Sequence, residues 1–332
     1  MRRTQYALVT VVVVCIGLII SSRVTEPGPS LRSGESLSSV VVRTIDVAGD
    51  TRQYAVYAPQ ADMRDRPVWV FLHGGGQSMH LLEAEPSAFR DLADRENILL
   101  VFPNGTHVHS GDFAGDRQRW NSGLTVDLGH VNQIDDVSFI LSVMTAVHDE
   151  YGTDQSRAYI SGVSDGGYMT QRIIRDHEHP FAAAASLLAN TPNDPVILGS
   201  TPVRPVPLLL WMNSDDSSFN ADQSLSGLAG EILTAAETYA WWQAAYGVTE
   251  MTPAQPISDP DSMGCYTTQQ RAVGEQPIYY RVTVGGGHVV PSINYRLQQS
   301  RLLGDRLGYQ CADIEGVLAV WEVLRSYRAS NR

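Results

Sequence analysis

The sequence predicts an α/β protein: a mostly parallel central sheet covered by helices on both faces. Short apolar runs that stop at Gly or Pro, "PVWVFLHGGG" and "NILLVFPNG", suit strands buried on both sides. In "DDVSFILSVMTAVHDEYG", Val137, Ile140, Leu141, Met144 and Val147 recur at helical spacing. Runs of these two kinds alternate to the end of the chain, with no internal repeat.

Taken in order, "SVVVRTIDVAGDTRQYAVYAP" reads as two strands around a Gly-Asp turn. The two runs quoted first are the next strands. The helix that follows can be capped by Asp135 or Asp136 and ended by Gly152. "RAYISG" is a strand, and the helix "GGYMTQRIIRDH" follows it directly. "FAAAASLLAN" and "VPLLLWMN" are further strands or buried segments. "GEILTAAETYAWWQAAYG" reads as an amphipathic helix, "PIYYRVTVGGG" as a strand and "ADIEGVLAVWEVLRSY" as a closing helix.

Composition bounds the function. The chain has 332 residues, 43% hydrophobic, enough for one large core or two modest ones. Its net charge of −12 argues against a nucleic-acid partner, since phosphate binding needs a basic face. All 24 basic residues are arginine, which excludes a lysine Schiff base. Arg2 and Arg3 precede the apolar run 7–20, which has the length of a signal-peptide core and is short for a membrane span. No A-x-A site follows, so an uncleaved anchor is the alternative. The expected organisation is a signal peptide or N-terminal anchor over 1–22, a flexible linker over 23–39 and one domain over 40–332. The protein is expected to be secreted or held in the cell envelope, touching membrane only through an uncleaved N-terminus. After export, Cys265 and Cys311 would be either one disulfide or two buried thiols.

The chemistry centres on "YISGVSDGGYM". Ser164 lies between a strand and a helix, flanked by Gly162 and Gly166, as a nucleophile elbow requires. The glycines leave room where side chains would strike the neighbouring strand and helix. A serine hydroxyl needs a base and an oxyanion site. Of nine histidines, only His288 comes late, after a strand, in the glycine-rich loop "GGGHVVP". His177 and His179 read as a solvated helix end, His107 and His109 as polar-loop residues, and His148 as structural; His80 and His130 lack supporting context. The acid should lie between Ser164 and His288, just past a strand. "WMNSDDSSF" offers Asp216, with Asp215 in reserve; both can equally cap a turn. The oxyanion donors are expected from the backbone N–H of Asp165 and from Gly75 or Gly76 of "HGGG", with His73 orienting that loop.

These segments resemble the polyhydroxybutyrate depolymerase and feruloyl or acetylxylan esterase group of the α/β-hydrolase superfamily. The resemblance runs along most of residues 45–327: "FLHGGGQS", "RWNSG", "IDDVSFI", "YGTDQSRAYISGVSDGGYM", "GGGHVVP" and "CADIEGVLAVWEVL". It implies Ser164 as nucleophile, His288 as base and an aspartate after the penultimate core strand. The chain departs from the pattern at "MNSDDSSFN" by the acid, at Val290 where the group has Trp, and at "LTVDLGH" where cysteines often follow W-N-x-G.

The expected activity is a serine carboxylic-ester hydrolase, needing no metal or cofactor, on a small aryl or acyl ester, a polyester or an esterified polysaccharide. A peptidase or thioesterase on the same fold, or a non-catalytic binding protein, are the alternatives. About 70 residues separate Asp216 from His288, more than the core fold requires. They include Trp241 and Trp242, which would line an acyl site or pack the core. Trp120, Val290 and Trp241 are the candidates for the substrate mouth.

Overall fold

A computed structural model describes residues 40–83, 87–107, 118–124, 129–216, 231–295 and 307–330. The expected signal or anchor and its linker lie outside the described residues. The chain opens with β1 (Val40–Val47), β2 (Asp50–Tyr57), β3 (Val68–Leu72), α1 (Ala88–Glu96) and β4 (Leu99–Pro103). A short ribbon, β5 (Thr106–His107) with β6 (Gln118–Arg119), precedes α2 (Asp136–Tyr151), β7 (Ala158–Val163) and α3 (Asp165–Asp176). Then come β8 (Ala183–Leu187), α4 (Pro195–Leu198), β9 (Leu208–Asn213) and α5 (Ala235–Ala245). β10 (Glu250–Met251), β11 (Gln255–Pro256), β12 (Tyr266–Val273), β13 (Ile278–Val284) and a closing helix α6 (Gly316–Leu324) complete it.

All strands but β5 and β6 join one sheet, in the order β1-β2-β4-β3-β7-β8-β9-β13-β12-β10, with β11 on β12. The middle, from β4 to β13, is parallel; the two edges are antiparallel. Side chains of the middle strands go alternately to two cores. Val68, Val70 and Leu72 pack with α2, α3 and α5; Trp69 and Phe71 pack with α1 and α6. The two-faced burial explains why these strands carry no polar alternation.

Several expectations shift. The first hairpin turns at Ala48 and Gly49, both at positive φ, one residue before the expected Gly-Asp pair. Asp135 caps α2, and Gly152 ends it in the left-handed region. Asp136 is turned inward instead. α5 starts only after Thr234, whose capping box with Glu237 fixes that end, so Glu231–Leu233 is not helix. α6 likewise starts at Gly316, four residues later than Ala312. The long stretch before His288 holds α5 and the antiparallel strands β10 to β13. β12, "YTTQQRAV", is polar on one side, and its place in the sheet comes from pairing with β13.

Candidate active site

The parallel strands β3, β7, β9 and β13 all end at one edge of the sheet, where a connection must leave the plane and can present side chains. Ser164 follows β7 there, at φ 54 and ψ −119, and starts α3. Such a backbone costs a non-glycine residue on the order of 1–3 kcal/mol, so the surroundings must impose it. They do so by close packing. A Cβ on Gly162 would fall 2.2 Å from the Gly166 carbonyl oxygen, and one on Gly166 would fall 2.2 Å from that of Leu72. Helix and strands therefore meet backbone to backbone beneath the serine.

The structure brings Ser164, His288 and Asp216 together. Ser164 Oγ lies 3.0 Å from His288 Nε2, and His288 Nδ1 lies 2.7 Å from Asp216 Oδ2. Asp216 is 3% exposed, whereas Asp215 is exposed and its Oδ1 accepts the Ser214 hydroxyl. The buried aspartate of the pair is the one facing the imidazole. A carboxylate there holds the proton on Nδ1, so that Nε2 meets the hydroxyl as an acceptor.

The histidine loop is built onto the acid loop. Asp215 N–H donates to the Gly286 carbonyl, and Gly285 N–H donates to Ser214 Oγ. Asn213, buried at the end of β9, donates through Nδ2 to the carbonyls of Gly287 and Val289, on either side of His288. His288 N–H donates to Leu307 O and Gly287 N–H to Tyr309 O. A Cβ on Gly287 would sit 2.2 Å from Leu307 O, so the glycine run serves close approach as well as the turn at Gly285, φ 84. Cys265 and Cys311 are joined by a disulfide, which ties the start of β12 to the strip lying against this loop. Asn213 carried no sequence signal beyond its place at a strand end.

The loop after β3 departs from expectation at Gly76, whose N–H donates to the Gln118 carbonyl at 2.9 Å and is therefore committed. Gly74 N–H donates to Gln77 Oε1. Among the described residues, Gly75 is the glycine of this loop whose N–H has no acceptor. Asp165 N–H opens α3 and has no intrahelical acceptor. His73 is fully buried: it accepts the Gly105 N–H on Nε2, so Nδ1 holds the proton given to Gly74 O. Burial pulls its pKa down to about 4, which keeps it neutral.

Two buried aspartates anchor the segment after β6. Asp165 accepts Arg119 Nε at 2.8 Å, Trp120 N–H at 2.9 Å and the Ser122 hydroxyl at 2.9 Å. Asp136 accepts Arg52 Nη2 and Asn121 N–H, each at 2.7 Å, and burial pushes its carboxyl up. "RWNSG" and "IDDVSFI" thus meet in space, which their separation along the chain could not reveal.

Of the expected mouth residues, Trp120 is closed off from solvent, and Val290 and Trp241 are partly buried. Trp120 is fully buried, its ring tilted against that of His73 and donating to the His73 carbonyl, because its large ring fills the space beneath the loop. Val290 packs on the α1–α6 core and against Gly316. Trp241 donates to the Leu198 carbonyl at the end of α4 and packs against Trp242 in the core. His179 is buried, not solvated: it stacks on Phe181 and approaches the Arg204 carbonyl, and burial lowers its pKa to about 4. His80 is exposed beside Glu83. His109 and the His130 side chain lie outside the described residues.

A strained serine on a strand-to-helix corner, backed by a histidine and a buried aspartate on neighbouring strand ends, is the site of an α/β-hydrolase. Residues 99–193 match the prolyl oligopeptidase family of S9 peptidases, a span that includes Ser164 but neither Asp216 nor His288. NocK, a provisionally assigned esterase of Nocardia uniformis subsp. tsuyamanensis, is 25% identical over 272 residues, covering 76% of this chain and 75% of that protein. The bifunctional acetylxylan esterase/xylanase XynS20E of Neocallimastix patriciarum is 27% identical over 176 residues, 53% of this chain and 23% of that longer protein. Among solved structures, an acetyl xylan esterase from Aspergillus awamori superposes with a TM-score of 0.50 at 16% identity, covering 75% of this chain and 94% of that one. The chain has the α/β-hydrolase fold and is similar to proteins named as esterases.

Proposed function

We propose that this chain is a serine carboxylic-ester hydrolase working through an acyl-enzyme. The carrying observation is the continuous path from Asp216 through His288 to Ser164, at 2.7 and 3.0 Å. Ser164 Oγ attacks the ester carbonyl while His288 Nε2 takes its proton. Negative charge on the carbonyl oxygen is met by the N–H groups of Gly75 and Asp165, at the N-terminus of α3. The imidazolium, held by Asp216, protonates the leaving alcohol. Water then enters along the same route and releases the acid. Acetyl esters on a polysaccharide, or a small acyl ester, are the substrates we favour, in line with the names its relatives carry. The disulfide supports export, since such bonds persist in oxidising compartments.

The test is hydrolysis of p-nitrophenyl acetate by the full chain and by Ser164→Ala. We expect turnover in the first and a loss of four or more orders of magnitude, roughly, in the second. Equal rates in both would overturn the proposal. A peptidase is the second reading, favoured by the S9 match over the elbow. Cleavage of peptide substrates faster than of the ester would select it.

A further inference from the structure

Arg119 ends β6 and lies beside the serine site. Its Nε is fixed on Asp165, which is 3% exposed and also held by Trp120 N–H and the Ser122 hydroxyl. The stem of this arginine is thereby immobilised. Its guanidinium lies against the loop that carries the Gly75 N–H. A Cβ on Gly75 would fall 3.1 Å from Arg119 Nε and 3.5 Å from Cζ, while a Cβ on adjacent Gly74 would fall 3.5 Å from Ser164 Cβ. The nucleophile and the arginine head thus lie against consecutive residues of one loop.

Its hydrogen bonding is incomplete. A guanidinium has five N–H donors in a planar fork. Among the described residues, only the Nε–H has an acceptor, and the side chain keeps 17% of its surface exposed. The arginines that support the same segment are used differently. Arg52 reaches Asp136 and the Asn104 carbonyl through its terminal nitrogen, and Arg172 reaches the Asn121 carbonyl the same way. Arg119 is gripped at its inner nitrogen, leaving both terminal ones outside the grip. The Asp165 charge is buried and shared among three donors, so the outer end of the pair is the positive one.

We propose that Arg119 is a substrate-binding residue that selects esters bearing a carboxylate a few atoms from the scissile carbonyl. The terminal N–H pair matches a carboxylate in a two-point, charge-assisted contact. The rest of the molecule works against such a substrate, because a net charge of −12 repels anions. A fixed local cation reverses that at the one place where it matters. This inference rests on the serine-esterase reading of the same site.

The test compares p-nitrophenyl acetate with mono-p-nitrophenyl succinate, on the full chain, Arg119→Gln and Arg119→Lys. Arg119→Gln should lower kcat/KM for the succinate ester relative to the acetate ester by roughly tenfold or more, chiefly through KM. Arg119→Lys should recover part of the ratio, and added salt should lower it in the unaltered enzyme. A tether acting only through Asp165 would slow both esters together; an unchanged ratio therefore overturns the inference. Calorimetric titration with free succinate is the second readout, independent of turnover. Binding that is lost in Arg119→Gln supports the anion site, even if neither ester is cleaved and the esterase reading falls. Absence of succinate binding to the unaltered chain, together with a ratio near one, overturns it even where the glutamine variant does not fold.

Discussion

The two halves of the site are held by different means. On the nucleophile side, Ser164 rests on backbone packed against backbone at Gly162 and Gly166, with Asp165, Asp136 and His73 fully or almost fully buried around it. On the acid–base side, Asp216 and His288 sit on loops zipped to each other and to residues 307–311, braced by Asn213 and a disulfide. The first is part of the core; the second is an arm laid across it. Strain at Ser164 demands a rigid seat, whereas in the proposed mechanism a histidine that exchanges protons with serine and leaving group needs correct aim more than burial. Damage to the arm should therefore remove activity and leave the fold standing. Damage to the seat should show first as lost stability.

The largest expected effect is on the arm. Asp216→Asn should cut kcat for an ester by roughly ten-thousandfold, because the amide favours the wrong tautomer of His288. Asp215→Asn should change it only a few-fold. Circular dichroism should show both variants folded. A severe effect at Asp215 with a mild one at Asp216 would reverse the assignment.

Opening the disulfide comes next. It closes a loop with a sequence separation of 46 residues. Chain entropy for a loop of that size is worth about 4 kcal/mol. Denaturant titrations with and without reductant should show that loss. Under reductant, activity should fade at denaturant concentrations where the far-ultraviolet signal is still native. Coincident midpoints would mean that arm and seat unfold as one.

The smallest effect concerns the seat and acid. His73 has a folded pKa of about 4 against an ordinary 6.5, so the unfolded chain binds the extra proton. Stability is then full above pH 6.5 and falls as pH drops toward 4, by about 1.4 kcal/mol per pH unit for one such histidine. His179 acts in the same direction. Unfolding free energies measured between pH 7 and 4 should fall with that slope or steeper. His73→Asn should flatten it by about half. An unaltered slope would mean that His73 is not buried neutral.

Much of this was legible before any coordinates. Ser164, His288 and the aspartate pair could be picked out because each follows an apolar strand, and strand ends on a parallel sheet converge at one edge. Glycine spacing around Ser164 carried steric information that survives translation into one dimension. The choice between Asp216 and Asp215 did not, because adjacent loop residues differ only in which way they turn. Gly76 looked equivalent to Gly75 until Gln118 claimed its N–H. Trp120 was misplaced because an aromatic beside a motif reads alike whether it faces substrate or core. Asn213, Asp136 and Arg119 were unreadable for the opposite reason: their partners lie 74, 84 and 46 residues away in sequence.

The amino-acid order by itself determined the α/β class, the strand-to-helix corner at Ser164 and the late histidine that meets it, since these depend on periodicity and on local steric need. Tertiary structure alone decided which aspartate is buried, which loop amide is left to donate and which arginine is held with its terminal nitrogens unclaimed. The physical reason is that hydrogen bonding and burial are settled by neighbours in space, and a chain whose six parallel strands end at one sheet edge brings together neighbours that no local pattern encodes.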